Sequence, residues 1–329
     1  MSFFAVLLAL VIEQFRPLPR RNGVHDTLVA WTRLIGRNFD AGRDHHAWVV
    51  WVITVVLPAV LVYGVHAAAA EVHAMLALAF DVTVLYLTLG FRQFSHYFTD
   101  IRDALERGDE LQARQLLTEW RHLDASDLPR TELLRHVVEH SLLAAHRHVF
   151  GVFFWFVLLS SFGLGPAGAV LYRLAEFSSR YWAFRSRTVG VAINERLMRR
   201  SQWMFALLDH VPARLTAFGF AVVGDFEAAV ECWRRDAGLW RIGNDGVILA
   251  SAAGAVGVRL GGGAPPQVTP DEPKGFVAGA GADDTAALGS TPGLAAQLGH
   301  LRSIVGLVWR SVVLWMLLLA LLSLANLIG

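Results

Sequence analysis

The chain has 329 residues, 54% of them hydrophobic and 17% charged, with a formal net charge of +1. A soluble domain carries about 25% charge, so this composition excludes an ordinary soluble protein and makes lipid part of the solvent, while near-neutral balance gives no reason to propose a nucleic-acid partner. The single cysteine, Cys232, excludes an intramolecular disulfide and a cysteine-based zinc cage. The 11 Trp and 20 Phe suit a chain with membrane–water interfaces. Lys274 is the single lysine beside many arginines, which reflects genome base composition rather than chemistry.

Met1 to Ile12 is apolar but lacks a small-residue cleavage site, and reads as a short anchor or first span rather than a cleaved signal. Ala47 to Gly64 and Ala74 to Gly90 form a pair of spans joined by a loop holding His66, Glu71 and His73. That loop has no Arg or Lys, whereas Arg33, Arg37 and Arg43 precede the pair and Arg92, Arg102 and Arg107 follow it. The positive-inside rule puts the loop outside and both flanks in the cytoplasm. Asp81, inside the second span, is a functional candidate as an intramembrane acid, or else bonds to a neighbouring helix near the span's end.

From Phe91 to Arg147 the chain is polar and helical. Gly108 closes one helix and Asp109 N-caps the next, Glu110 to Trp120, giving a helical hairpin. Asp124 to Leu128 makes a turn, and Pro129 or Thr131 starts another helix. In it Leu133, Leu134, Val137, Val138, Ser141, Leu142 and Ala145 share one face, and His136, Glu139 and His140 the opposite one. Val149 to Leu174 is apolar enough to span but is broken by Gly163-Leu164-Gly165-Pro166-Ala167-Gly168. Arg135 and Arg147 lie before it, and Arg173, Arg180, Arg185 and Arg187 after it. A re-entrant hairpin reconciles the break with the charge; a Gly/Pro-kinked span is the alternative. Gly261 to Pro292 is a Gly/Pro/Ala/Asp-rich loop, and Ser311 to Ile328 is a closing span of roughly 27 Å.

These readings give an all-α polytopic integral membrane protein with about four or five membrane segments, a cytoplasmic helical layer and a re-entrant hairpin. The divisions are 1–90 (N-terminal membrane segments), 91–148 (cytoplasmic hairpin region), 149–262 (re-entrant segment and motif core), 263–304 (loop) and 305–329 (last span). The expected location is a membrane, with the polar motifs on the cytoplasmic side. The bilayer is the evident partner, and nothing specifies an oligomeric state.

Two runs mix charge with Gly or Pro between apolar stretches: Leu208-Asp209 with Pro212-Ala213-Arg214-Leu215, and Gly254 to Gly262. With Gly108-Asp109 and Ala113-Arg114, the Asp124 to Leu128 turn, Glu139, Gly165 to Ala169 with Tyr172-Arg173, and Asn244-Asp245-Gly246, they resemble the motifs of the CobD/CbiB family, membrane proteins of cobalamin biosynthesis. The resemblance runs from about Phe91 to Gly262. The chain departs from the family at Ala144-Ala145-His146 (Ala-Glu-Asn in the family), His148-Val149-Phe150-Gly151-Val152 (Asp-Gly-Val) and Ala175 to Ser179 (Asn-Thr-Leu-Asp-Ser-Met). AmpE-like membrane proteins, divergent relatives of the family, depart at similar places.

The resemblance implies the joining of an aminopropanol unit, as its phosphate, to a carboxylate of adenosylcobyric acid, with ATP and Mg²⁺ required and the corrinoid a substrate rather than a cofactor. The alternative it implies is an AmpE-like sensor without ligase activity. Amide formation needs phosphate held near Mg²⁺ and a deprotonated amine; carboxylates suit the metal, arginine suits phosphate, and a carboxylate can act as base. Glu139 and Asp209 are the catalytic candidates. Arg173, Arg214, Asn244, Arg259, Gly261 and Gly262 are the substrate or phosphate candidates, the Gly261-Gly262-Gly263 run through backbone N–H groups offered to an anion. Against these stand a helix-end cap and a snorkelling interface arginine for Asp209 and Arg214, and a solvated helix face for Glu139. A further alternative is zinc: His136-Val137-Val138-Glu139-His140 matches the inverted zincin pattern, without an identifiable third ligand among the 13 His.

Overall fold

The computed structural model describes residues 2–16, 23–39, 44–121, 125–187, 195–240, 242–262 and 289–328. They form helices α1 (Ser2–Phe15), α2 (Gly23–Phe39), α3 (Asp44–Trp51), α4 (Leu57–Val72), α5 (Ala74–Thr88), α6 (Phe91–Glu106), α7 (Glu110–Arg121), α8 (Arg130–Ala145), α9 (Gly151–Ser161), α10 (Ala167–Arg187), α11 (Glu195–Val223), α12 (Phe226–Asp236), α13 (Gly243–Val256) and α14 (Leu298–Ile328). Short π-helical turns at Val52–Val56 and His146–Phe150 join α3 to α4 and α8 to α9. The only sheet-like pairing among the described residues is two isolated bridges, Val258 with Leu294 and Gly261 with Ser290. The chain is therefore all-α.

Among the described residues, four helical runs are long and apolar enough to cross a bilayer: His46–Val72, Arg130–Ser161, Glu195–Val223 and Leu298–Ala325. Ser2–Phe15 and Ala74–Thr88 are shorter apolar helices; the 15 residues of the latter rise only about 22 Å. The loop expected between the first pair shrinks to His73, because His66 and Glu71 lie within α4. His73 ends α4 and caps α5, its ring accepting from the Met75 amide at 3.1 Å. The polar helix beginning after Pro129 and the apolar stretch after Val149 are one continuous run. α11 was not expected to be a span: Glu195, Arg196, Arg199, Arg200, Asp209 and Arg214 break up its apolar pattern.

The residues fall into two compact units. Met1–Gln93, Arg147–Asp209 and Asn326–Gly329 form the first, and Phe94–His146 with His210–Ala325 the second. In the first, α1 and α4 pack on α5, and α10 packs on α4 and α9. The break after α9 makes a tight reversal rather than a kinked span, with Gly163 and Gly165 at φ +77° and +55°. A Cβ at Gly168 would meet the Trp155 carbonyl, so glycine there lets α10 close against α9.

In the second unit α12 packs on α13, and α13 and α7 pack on α8. Every residue of α13 from Asn244 to Gly254 is buried, the state of a helix enclosed by protein on all sides. Gly254 permits this, since a Cβ would run into the backbone at Ala228 and Ala229. Gly108 at φ +80° and the Asp109 carboxylate, accepting from the Gln112 amide at 2.9 Å, end α6 and start α7 as the sequence predicts. The exposed leucines of α14, among them Leu317, Leu318, Leu321 and Leu322, present the apolar surface that lipid would cover.

Candidate functional site

Each unit contains a buried polar network, and each network contains residues singled out by the sequence. In the second unit the network grows from one helical register. Arg135 lies three residues after Glu132 and four before Glu139, the spacings that bring side chains together on a helix. Its Nη1 donates to both oxygens of Glu139 at 3.0 Å, and its Nη2 to Glu132 at 2.6 Å. Glu139 has no exposed surface and also accepts the backbone N–H of Gly261 at 2.7 Å. The anion that the Gly261 N–H meets is thus the protein's own carboxylate, and the solvated reading of Glu139 is overturned by its burial and by the packing of α13 on α8.

Gly261 is delivered by a short extended segment. Gly257, at φ +71°, terminates α13, and the chain then pairs with 290–294 through Arg259 N–H to Leu294 O and Thr291 N–H to Leu260 O, both 2.8 Å. Gly261 and Gly262 hold φ of +73° and +64°, and a Cβ on Gly262 would press on Ser290. Gly263, Lys274 and most of the expected Gly/Pro-rich loop lie outside the described residues, as does Asp124 of the expected turn. The Arg259 side chain is exposed.

His136 and His140 are buried with Glu139 rather than solvated. The ring nitrogens of His136 face Nη1 of Arg121 at 3.0 Å and Nη2 of Arg135 at 3.2 Å. A neutral imidazole accepts at only one nitrogen, so one of these contacts at a time is a hydrogen bond. The His140 ring stands edge-on to Trp120 with centroids 4.5 Å apart. Two guanidiniums beside His136, and a Glu139 already clamped, suit no zinc ion, and among the described residues no group of three or more His, Cys, Asp or Glu is arranged to hold a metal. The inverted zincin pattern is therefore a coincidence of spacing.

Arg214 and Asn244 are brought together, Nη1 donating to the Asn244 side-chain oxygen at 3.3 Å and to the His210 carbonyl at 2.8 Å. Two further ties join neighbouring elements: His146 Nδ1 to Thr216 Oγ1 at 2.9 Å, and Ser251 Oγ to the Ala217 carbonyl at 2.7 Å.

In the first unit Asp209 is buried and accepts the Tyr172 hydroxyl at 2.7 Å. Gly151 makes room for it: a Cβ there would collide with the phenol ring and its oxygen. The helix-end reading of Asp209 fails, because α11 continues past Pro212 to Val223. Pro212 has no N–H for the Leu208 carbonyl four residues back, and the Trp155 indole N–H supplies that bond at 3.1 Å. Arg173 pairs with Glu176 at 2.8 Å, and Arg180 with the same carboxylate at 2.6 Å. Asp81 sits in the middle of α5 rather than near its end and meets His66 Nδ1 at 2.7 Å.

Glu139, Gly261, Arg214 and Asn244 thus belong to the second unit, and Asp209 and Arg173 to the first. Arg121, Arg135, Glu176 and Arg180 are not among the site residues the sequence suggests. The signal available for three of them was charge at i,i+3 and i,i+4 spacing on helices otherwise apolar.

A family model described as CobD/Cbib protein matches residues 2–272. The chain is 32% identical over 324 residues, 96% of each chain, to the cobalamin biosynthesis protein CobD of Stutzerimonas stutzeri. It is 34% identical over 194 residues, 58% of each chain, to the protein of that name from Chromobacterium violaceum. With the corresponding Yersinia enterocolitica protein it shares 28% over 194 residues, 58% of this chain and 59% of the relative. No solved structure matches it. By a family match over most of its length and a relative aligned nearly end to end, the chain belongs to the CobD/Cbib family.

Proposed function

We propose that this membrane protein works in cobalamin biosynthesis and joins aminopropanol phosphate to a carboxylate of adenosylcobyric acid, consuming a nucleoside triphosphate. The observation that carries this reading is the family match over residues 2–272, supported by the end-to-end similarity to a relative named for cobalamin biosynthesis. A carboxylate oxygen first attacks the terminal phosphorus of the nucleotide, the P–O bond to the β-phosphate breaks, and the nucleoside diphosphate leaves an acyl phosphate. The amine nitrogen then attacks the acyl carbon, the acyl C–O bond breaks with phosphate leaving, and the amine proton passes to a base.

Asp209 with Tyr172 is the pair suited to accept that proton, being a carboxylate already hydrogen-bonded to a hydroxyl at 2.7 Å. Within the first unit Arg173 is suited to phosphate; within the second, the Arg214–Asn244 pair is suited to a carboxylate or phosphate and the exposed Arg259 to an outer contact. Glu139 is better suited to holding Gly261 than to abstracting protons, since Arg135 and the glycine amide engage its oxygens. Mg²⁺ carried on a nucleotide needs only one or two protein carboxylates, and the ion would neutralise phosphate charge.

Sidedness follows from charge. The stretch from Ala47 to Phe91 has no Arg or Lys, while Arg33 and Arg37 precede it and Arg102 and Arg107 follow it. This supports a bacterial inner-membrane protein with the α4–α5 turn outside and the α6–α7 hairpin in the cytoplasm.

Expression in a bacterium lacking its own family member tests the reading. The wild-type chain should restore cobalamin synthesis from adenosylcobyric acid, and Asp209→Asn, at equal membrane abundance, should not. Failure of a stably inserted wild-type chain to restore synthesis would favour the AmpE-like sensor.

A further inference from the structure

On α10, the Glu176 carboxylate lies between two guanidiniums, with Arg173 Nη1 at 2.8 Å and Arg180 Nε at 2.6 Å. Glu176 is wholly buried, and the arginine side chains are only 12% and 10% exposed. One carboxylate balances one guanidinium, so this triplet keeps an excess positive charge in a place where charge is costly to leave unmatched. Nη2 of Arg180 is buried and has no hydrogen-bond partner among the described residues. Buried donors are normally satisfied, and an exception asks for a ligand or a strained state. Arg147, from the π-helical turn before α9, and Asp209 are a further buried cation and anion in the same unit, of opposite charge, and with Glu176 both act electrostatically on Tyr172, so the excess charge is that of the triplet itself.

Forked donors, surplus positive charge and an unused N–H match the oxygens of a phosphoryl group better than a single carboxylate. We propose that Arg173 and Arg180 form a phosphoryl-binding site in which Glu176 holds the two guanidiniums in place until the phosphoryl oxygens arrive. The chemistry is shared by a nucleoside triphosphate and a phosphate monoester. Its link to amide formation rests on the function proposed above; the binding itself does not.

The test uses full-length protein in detergent, with ATP and aminopropanol phosphate as separate probes at matched ionic strength, read by calorimetry and thermal unfolding. The wild type should bind one of the two, which identifies the source of the phosphoryl group. Arg180→Gln should weaken that binding about tenfold or more, and Arg180→Lys should recover part of it. Glu176→Gln should unfold at lower temperature without anion, yet bind the anion more tightly and gain more thermal stability from it than the wild type. A purely structural ion pair gives no such opposition of sign. Absence of binding in the wild type, or equal affinity across wild type, Arg180→Gln and Arg180→Lys, overturns the site even if Glu176→Gln fails to fold. Amide product with affinities indifferent to these variants removes this site and leaves the proposed reaction. Binding in the expected order without product keeps the site and removes the reaction.

Discussion

Both oxygens of Glu139 lie 3.0 Å from Nη1 of Arg135, and one also accepts the Gly261 amide. A carboxylate without exposed surface survives only with such partners, because desolvation would otherwise outweigh any packing gain. Replacing it by glutamine removes the ionic partner from a buried arginine. Stranding a buried charge costs about 3–5 kcal/mol; the retained pair between Arg135 and Glu132 places the expected loss at the lower end. Glu139→Gln should therefore lower stability by about 3 kcal/mol in reversible denaturation and speed hydrogen exchange at the Gly261 amide. Unchanged exchange there would mean that the clamp contributes nothing. At this scale the sequence disclosed which residues to watch more readily than what they touch. Glu139, Asp209 and Arg173 stood out by motif, but the partners Gly261 and Tyr172 come from distant segments. A helical wheel put Glu139 on a polar face, and only the packing of α13 reveals that both faces of α8 are covered. Gly151, read as a departure from a motif, has its reason in the Tyr172 ring that occupies the space a Cβ would need.

α11 carries Pro212 in its interior and remains one helix of 29 residues. An interior proline ordinarily costs about 3 kcal/mol through a lost bond and a clash. Part of that loss is made good from outside, because Trp155 donates to the carbonyl left without its helical donor. Trp155→Phe should strand that carbonyl and cost about 1–3 kcal/mol. In a Pro212→Ala background, where a backbone N–H becomes available, the same change should cost measurably less; a double-mutant cycle on thermal unfolding reads the difference. Equal costs in both backgrounds would show that Trp155 stabilises by packing alone. Elements announced by local chemistry were legible in sequence: the Gly108–Asp109 junction, the start after Pro129, and the reversal at Gly163–Pro166. α11 escaped notice because its arginines and acids dilute the apolar pattern, although its length and remaining apolar residues suffice for a span. The α4–α5 loop was overestimated because histidine and glutamate, polar in any scale, sit in the last turns of a helix.

For the whole molecule, composition alone established a membrane protein, and the four long apolar helical runs bear that out. The division into two compact units was not legible, since each is assembled from segments separated in sequence by other segments. The motif residues divide between them, Asp209 and Arg173 in one and Glu139, Gly261, Arg214 and Asn244 in the other. Motif resemblance led to the family, and the match over residues 2–272 establishes it. The reaction is tested most directly on detergent-purified protein supplied with adenosylcobyric acid, aminopropanol phosphate, ATP and Mg²⁺, with mass spectrometry following the amide product. Product should form with the wild type and fall by about 10²–10⁴-fold in a folded Asp209→Asn variant, the range of a lost general base. No product from folded wild-type protein, beside an active member of the family under the same conditions, would contradict the proposed ligase.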